Sequence, residues 1–385
     1  RMAIRAFPMS FLAMLWDVVG LLVLLVLFLE FGVTGLQRLS RRIRHDRSSA
    51  PMQQPTGLDW APFVHWRQQS FRSDNITVDE RGLRVTPGEA EAGGESLRIF
   101  CFGGSTAFGV GVRDGWTVPA VLQRRLSEMG HRVAVTNYGQ LAYICTQEVI
   151  ALQQLLKSGT VPQVVVFYDG FNDMFSAEWK SRADAIRGEE RWRAEFNLLA
   201  PERLGDLVRA GLAGAFPRLM RRIREWTGLK WAGGLARSPR VALTESLVPA
   251  LARDVAAVYA ANVRTVRALA REYGFQAVFV WEPVLATKSV KSADEKKFES
   301  RRAVDTAMRR RFCDAVIAAY RHYPALAGAP DIVDLSAMFD DRTDSVYIDF
   351  AHLSESGNAA VAEAMLSAVT SAVATANHWQ KTGPA

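Results

Sequence analysis

The chain has 385 residues, 49% of them hydrophobic and 23% charged, with a formal net charge of +7. That balance excludes a disordered or collagen-like chain and is enough for a sizeable core carrying an insertion. Three cysteines without a C-x-x-C pair and six scattered histidines argue against a disulfide framework and against a metal site, so no cofactor is expected; the basic excess suits anionic lipid or acidic polysaccharide, and without a nucleic-acid-binding signature no nucleic-acid partner is expected.

In chain order, the first feature is an apolar run from about Phe11 to Val33, interrupted by Asp17, Gly20 and Glu30. As a helix it would be about 34 Å long, enough to cross a bilayer, with Asp17 and Glu30 toward the two interfaces. It reads as an N-terminal transmembrane helix, a single-pass membrane anchor; a cleaved signal peptide and a buried core helix are the alternatives. No A-x-A-like cleavage site follows, whereas Arg38, Arg41, Arg42, Arg44 and Arg47 do. By the positive-inside rule these arginines place the globular part on the cytoplasmic side. Residues 1–47 are thus read as anchor with basic flank, and 48–95 as a linker and an edge hairpin made from Ile76–Val78 and Gly82–Thr86.

From Leu97 the pattern alternates strand and helix. Strands are predicted at 97–102, 132–137, 163–168, 276–282 and 331–335. Helices are predicted at 118–129, at 146–157 with Thr146 as its cap, at 247–273 ended by Gly274, at 302–320 and at 354–374. A βαβ series of this kind makes a mostly parallel five-stranded sheet flanked by helices, an α/β fold. It is interrupted by a segment, 176–246, rich in Arg and Trp, which reads as a helical insertion; whether it packs on the sheet, caps a site or lies on lipid stays open. Cys101, inside the first strand, reads as a buried thiol.

The first strand runs into Gly103-Gly104-Ser105, which displays a hydroxyl at the strand's carboxyl end, where open α/β sheets bind ligands. A plain turn, a phosphate loop and a nucleophilic serine all compete here. The phosphate loop fails because Val110 and Gly111 stand where lysine and Ser/Thr are needed. The nucleophile requires a base, an acid and an oxyanion site elsewhere in the chain. Three further segments fall at predicted strand ends: Asn137-Tyr138-Gly139-Gln140, Asp169-Gly170-Phe171-Asn172-Asp173, and Asp349-Phe350-Ala351-His352. His352 can serve as the base, and an Asp three residues earlier, Asp349, can reach back to the imidazole within one turn.

These four blocks, in this order, resemble those of the SGNH (GDSL-like) serine hydrolases: Gly103-Gly104-Ser105, Gly139, Gly170-Phe171-Asn172-Asp173 and Asp349-Phe350-Ala351-His352. Gly104 departs from the aspartate of the family's name motif. The resemblance spans about Leu97 to Ser367 outside the insertion. It implies a flavodoxin-like hydrolase domain at 96–376 followed by a tail at 377–385, and a periplasmic rather than cytoplasmic domain. It implies Ser105, Asp349 and His352 as the triad. The oxyanion would be received by the backbone N–H groups of Ser105 and Gly139 and by the Asn172 side chain. Asp173 reads as a loop-holding residue. The function expected is a serine esterase or deacylase acting through an acyl-serine on an acylated glycan, a lipid ester or a small ester. An O-acyltransferase modifying an exported polysaccharide and a non-catalytic glycan-binding assembly subunit are the alternatives.

Overall fold

The computed structural model describes residues 21, 54–55, 57–88, 96–190, 192–193, 243–300 and 305–382. The expected anchor, its arginine flank and most of the expected insertion lie outside the described residues. The chain divides into two compact units, Arg1–Pro51 with Gly188–Pro239 and Met52–Arg187 with Arg240–Ala385. All elements below belong to the second unit.

That unit opens with two small antiparallel pairs. One is β1 (Leu58–Ala61) with β2 (His65–Gln68); the other is β3 (Phe71–Arg72) with β4 (Thr77–Val78). The hairpin expected at 76–86 reduces to a Val78–Arg84 bridge, and Arg84 also bridges Asn137. A parallel sheet follows: β5 (Leu97–Gly103), β6 (Val133–Asn137), β7 (Val164–Asp169), β8 (Gln276–Trp281) and β9 (Ile332–Asp334), in the spatial order β6-β5-β7-β8-β9. The chain steps from β5 out to β6, then crosses back to β7. The direction of winding therefore reverses beside β5, the position at whose carboxyl strand ends open α/β sheets bind ligands.

The central strands are continuous apolar runs because both faces are covered. β7, Val164 to Asp169, is buried along its whole length. One face carries α2 (Val118–Glu128) and α8 (Glu355–Thr382), packed through Leu122, Leu126, Val361, Met365, Val369 and Val373. The other carries α3 (Cys145–Lys157), α5 (Val248–Tyr273) and α7 (Thr306–Arg321), packed through Leu152, Val255, Tyr259, Val263, Phe312 and Val316. Two shorter helices, α1 (Ser105–Phe108) and α4 (Phe171–Lys180), start directly at strand ends. Another, α6 (Ala293–Ser300), was not predicted from the sequence.

Several boundaries differ from expectation. Thr146 is not a cap: α3 begins at Cys145, and the Thr146 hydroxyl accepts a hydrogen bond from Asn262 Nδ2 at 2.9 Å. The first turn of α3 is served instead by the Asp173 carboxylate, which accepts from the Cys145 N–H at 3.3 Å. Residues 176–180, expected to open the insertion, continue α4. The last helix runs beyond 374 to Thr382. Among the described residues, one stretch, Glu355–His378 in α8, has the length and composition to cross a membrane. Its apolar stripe of Val361, Met365, Val369 and Val373 is buried against the sheet. None of the three cysteines forms a disulfide, and all three are buried.

Candidate active site

Every expected site residue stands at the carboxyl edge of the sheet. Ser105 opens α1 directly after β5. Its Oγ lies 2.8 Å from His352 Nε2, and His352 Nδ1 lies 2.7 Å from Asp349 Oδ2. The other Asp349 oxygen, Oδ1, accepts from the backbone N–H groups of Ala351 (2.7 Å) and His352 (2.8 Å). This is the local turn that Asp favours, its side chain bonding backbone two residues on. It ties the carboxylate to the residue whose imidazole it orients. Burial raises the Asp349 pKa, but the imidazole hydrogen bond, its charge and the two N–H donors outweigh that effect and hold it below the usual carboxylate range. The group is therefore an anion at neutral pH, although its side chain remains 40% exposed.

The loop carrying Asp349 is fastened from below. Lys288 and Glu295, both fully buried, pair at 2.7 Å. Glu295 Oε1 accepts from the N–H groups of Val346 (3.1 Å) and Tyr347 (3.3 Å), and Lys288 Nζ donates to the Asp344 carbonyl at 3.2 Å. A second buried cation fastens the loop after Ser105. Arg84 pairs with Asp114 at 2.5 Å and donates to the carbonyls of Gly109 (3.1 Å) and Val112 (2.8 Å). Neither device was recognised from sequence. Arg84 stands between Leu83 and Val85, and Lys288 and Glu295 lie in a polar, charged run, patterns that also describe ordinary surface segments.

The second block lies alongside the first. The Gln140 N–H donates to the Gly103 carbonyl at 3.0 Å, and Asn137 Nδ2 donates to the Ala107 carbonyl at 2.9 Å. Gly139 is pressed against α1, where an added Cβ would come within 2.4 Å of the Phe108 nitrogen. Here the structure departs from expectation. The Gly139 N–H donates to Asn137 Oδ1 at 2.9 Å, so this expected oxyanion donor is already engaged. Asn137 ends β6 and reaches back over Gly139, satisfying a buried donor that would otherwise be costly to leave unpaired.

The third block brings Asn172 to the Gly104–Ser105 turn. A Cβ on Gly104 would fall 2.0 Å from Asn172 Nδ2. The glycine that replaces the motif aspartate thus leaves the space that the Asn172 amide occupies. The Ser105 N–H lies in the first turn of α1, where N–H groups have no intrahelical partner. Phe350 sits inside the Asp349–His352 turn and packs at a tilt against Phe171 and Phe175, with ring centroids 5.8 Å apart in each case. Aromatic contact therefore joins the histidine-bearing loop to the Asn172-bearing helix.

Behind these turns lies a group of buried carboxyls that sequence reasoning did not single out as a cluster: Glu148 on α3, Asp169 at the end of β7, Asp173 on α4 and Glu282 directly after β8. Burial, then the facing Asp169, push Glu148 well above the ordinary range; burial likewise raises Asp169 and Asp173. Glu282 is pushed up to about 8 by burial, against the opposing effect of the hydrogen bond it accepts from Phe171. Among the described residues no cluster of His, Cys, Asp and Glu is arranged to hold a metal ion. A surface cavity of about 590 Å³, lined by residues including Gly88, Arg124, Glu128 and Arg132, contains none of the site residues.

No protein-family model and no curated protein matches the chain. Solved structures do. The chain is similar to an acetyl xylan esterase, AlAXEase, at 14% identity over 71% of this chain and 100% of that one, with a TM-score of 0.38. It is similar to a lipolytic G-D-S-L family member from Veillonella parvula at 12% identity over 71% and 99% of the two chains, with a TM-score of 0.34. AlinE4, an SGNH-hydrolase family esterase, matches at 16% identity over 76% and 100%, with a TM-score of 0.34.

Proposed function

We propose that this chain is an SGNH-type serine hydrolase that cleaves an ester through an acyl-serine intermediate. The observation that carries this reading is the unbroken chain from Ser105 Oγ through the His352 imidazole to Asp349, with both links under 3 Å. In the proposed cycle Oγ attacks the acyl carbon and its proton passes to His352 Nε2. Asp349, held as an anion, stabilises the imidazolium through Nδ1. The oxyanion is received by the Ser105 N–H and the Asn172 amide, and by Gly139 once its N–H turns from Asn137. His352 then returns the proton to the departing alcohol, and water repeats the sequence on the acyl-serine.

The substrate class we favour is an acyl ester on a glycan or lipid. The basic excess of the chain and the apolar run at 11–33, read as a membrane anchor, support a site working near an envelope surface. The test is labelling with a fluorophosphonate probe, followed by peptide mapping. The expected adduct is on Ser105, absent in Ser105→Ala, whose turnover of acetylated sugars and short-chain esters should fall by about 10⁴-fold or more. Folded protein that takes up no probe and hydrolyses no ester would refute the proposal.

A further inference from the structure

We propose that Glu282 is a positioning residue for the oxyanion site: from the end of β8, its single carboxyl group holds the Phe171–Asn172 turn through one oxygen and abuts the Ser105–Thr106 turn with the other. This inference rests on Ser105 acting as the nucleophile. Glu282 Oε1 accepts the Phe171 N–H at 2.7 Å, one residue before the Asn172 amide. The Glu282 backbone N–H donates to the Asp169 carbonyl at 2.8 Å, so its main chain is fixed to the same loop. Its second oxygen and the Thr106 hydroxyl are both buried without a hydrogen-bond partner, and the Thr106 hydroxyl draws the carboxyl's pKa down. In the proposed arrangement a hydrogen bond between these two groups bridges the two turns from which oxyanion donors come. Preorganised donors need such support, because a displacement of about 1 Å forfeits much of their effect.

The protonation state of this carboxyl then matters to the chemistry. The titratable groups facing it are Tyr168 and Asp169 from β7, Asp173 from α4, Glu148 from α3 and Tyr347 from the loop before Asp349. All are acids or phenols, and none supplies positive charge. Burial keeps Glu282 neutral through pH 7. As a neutral acid it accepts from Phe171 and can donate to Thr106. Once ionised, it places a negative charge behind a site that must stabilise another, so turnover should decline above about pH 8.

The test compares full-length wild type, Glu282→Gln and Glu282→Leu by initial ester hydrolysis rates and by hydrogen exchange at Phe171. Glutamine keeps the acceptor and cannot ionise. It should hold kcat within about threefold at pH 7 and lose the alkaline decline. Leucine should lower kcat by about 10²-fold with KM nearly unchanged, and speed exchange of the Phe171 amide. If Glu282→Leu does not fold, the pH profile of Glu282→Gln decides alone. A glutamine variant with the wild-type alkaline limb, or a leucine variant with full kcat and unchanged exchange, overturns the proposal. If the wild type hydrolyses no ester, the hydrolase reading fails and the oxyanion role falls with it, whereas faster Phe171 exchange in the leucine variant would then show only that Glu282 holds that turn.

Discussion

Two carboxylates at the same sheet edge show how far environment alone can separate one chemical group. Asp349 is the more exposed, yet it is held below its ordinary pKa, because an imidazole and two backbone N–H groups address its oxygens. Glu282 is only 2% exposed, receives one N–H, and is pushed up to about 8. At neutral pH the first is an anion that can balance an imidazolium, and the second is a neutral acid that adds no charge behind the oxyanion. Burial raises both groups; the imidazole and two N–H donors reverse that rise at Asp349, whereas a single N–H does not at Glu282.

The sharpest way to break this contrast is Asp349→Asn. Asparagine can still accept from Ala351 and His352, so the turn should survive. Its amide cannot both keep that role and accept the Nδ1 proton, so the imidazole loses its orientation. We expect kcat to fall by about 10⁴-fold, with a modest fall in Tm at neutral pH because asparagine forgoes the stability that the depressed carboxylate contributes. A loss below tenfold in steady-state assays would show that Asp349 does not set the imidazole. Next in size is Asn172→Ala, which removes the amide packed on Gly104. A fall of about 10²–10³-fold in kcat, with KM nearly constant, is the expected result. If kcat changes less than threefold, the oxyanion site lies elsewhere.

The side of the contrast built on short motifs was legible in the sequence. The five strands, their parallel arrangement and the positions of Ser105, Asn172, Asp349 and His352 could be read because strand periodicity and turn residues are local signals. The supporting side was not. Arg84, Glu282 and the Lys288–Glu295 pair act on backbone distant in sequence: Arg84 on Gly109 and Val112, Glu282 on Phe171, and Glu295 on Val346 and Tyr347. No spacing rule marks such contacts. Glu282 closed an apolar strand at the same edge as the four blocks, and that placement was its one readable sign. The engagement of Gly139 by Asn137 was hidden for the opposite reason, since the contact is two residues long but depends on a side-chain rotamer.

The smallest predicted effect sharpens the contrast through stability rather than rate. Glu148, Asp173 and Glu282 all have folded pKa values raised above those of an unfolded chain, so the folded state binds more protons as pH rises past about 4. Their contribution is complete below that point and is lost as pH climbs through the folded values, near 8 for Glu282. Asp349 has the opposite sign: its depressed pKa adds stability that disappears only as pH falls below the ordinary carboxylate range. Together they place maximal stability in mild acid, with Tm falling between pH 5.5 and 8.5. Glu148→Gln should flatten that slope, because the amide keeps the shape of the side chain facing Asp169 and carries no titratable proton. Scanning calorimetry across this range decides the matter. A Tm that rises toward pH 8.5 would mean that these carboxyls are ionised in the folded protein, and that the neutral role given to Glu282 is wrong as well.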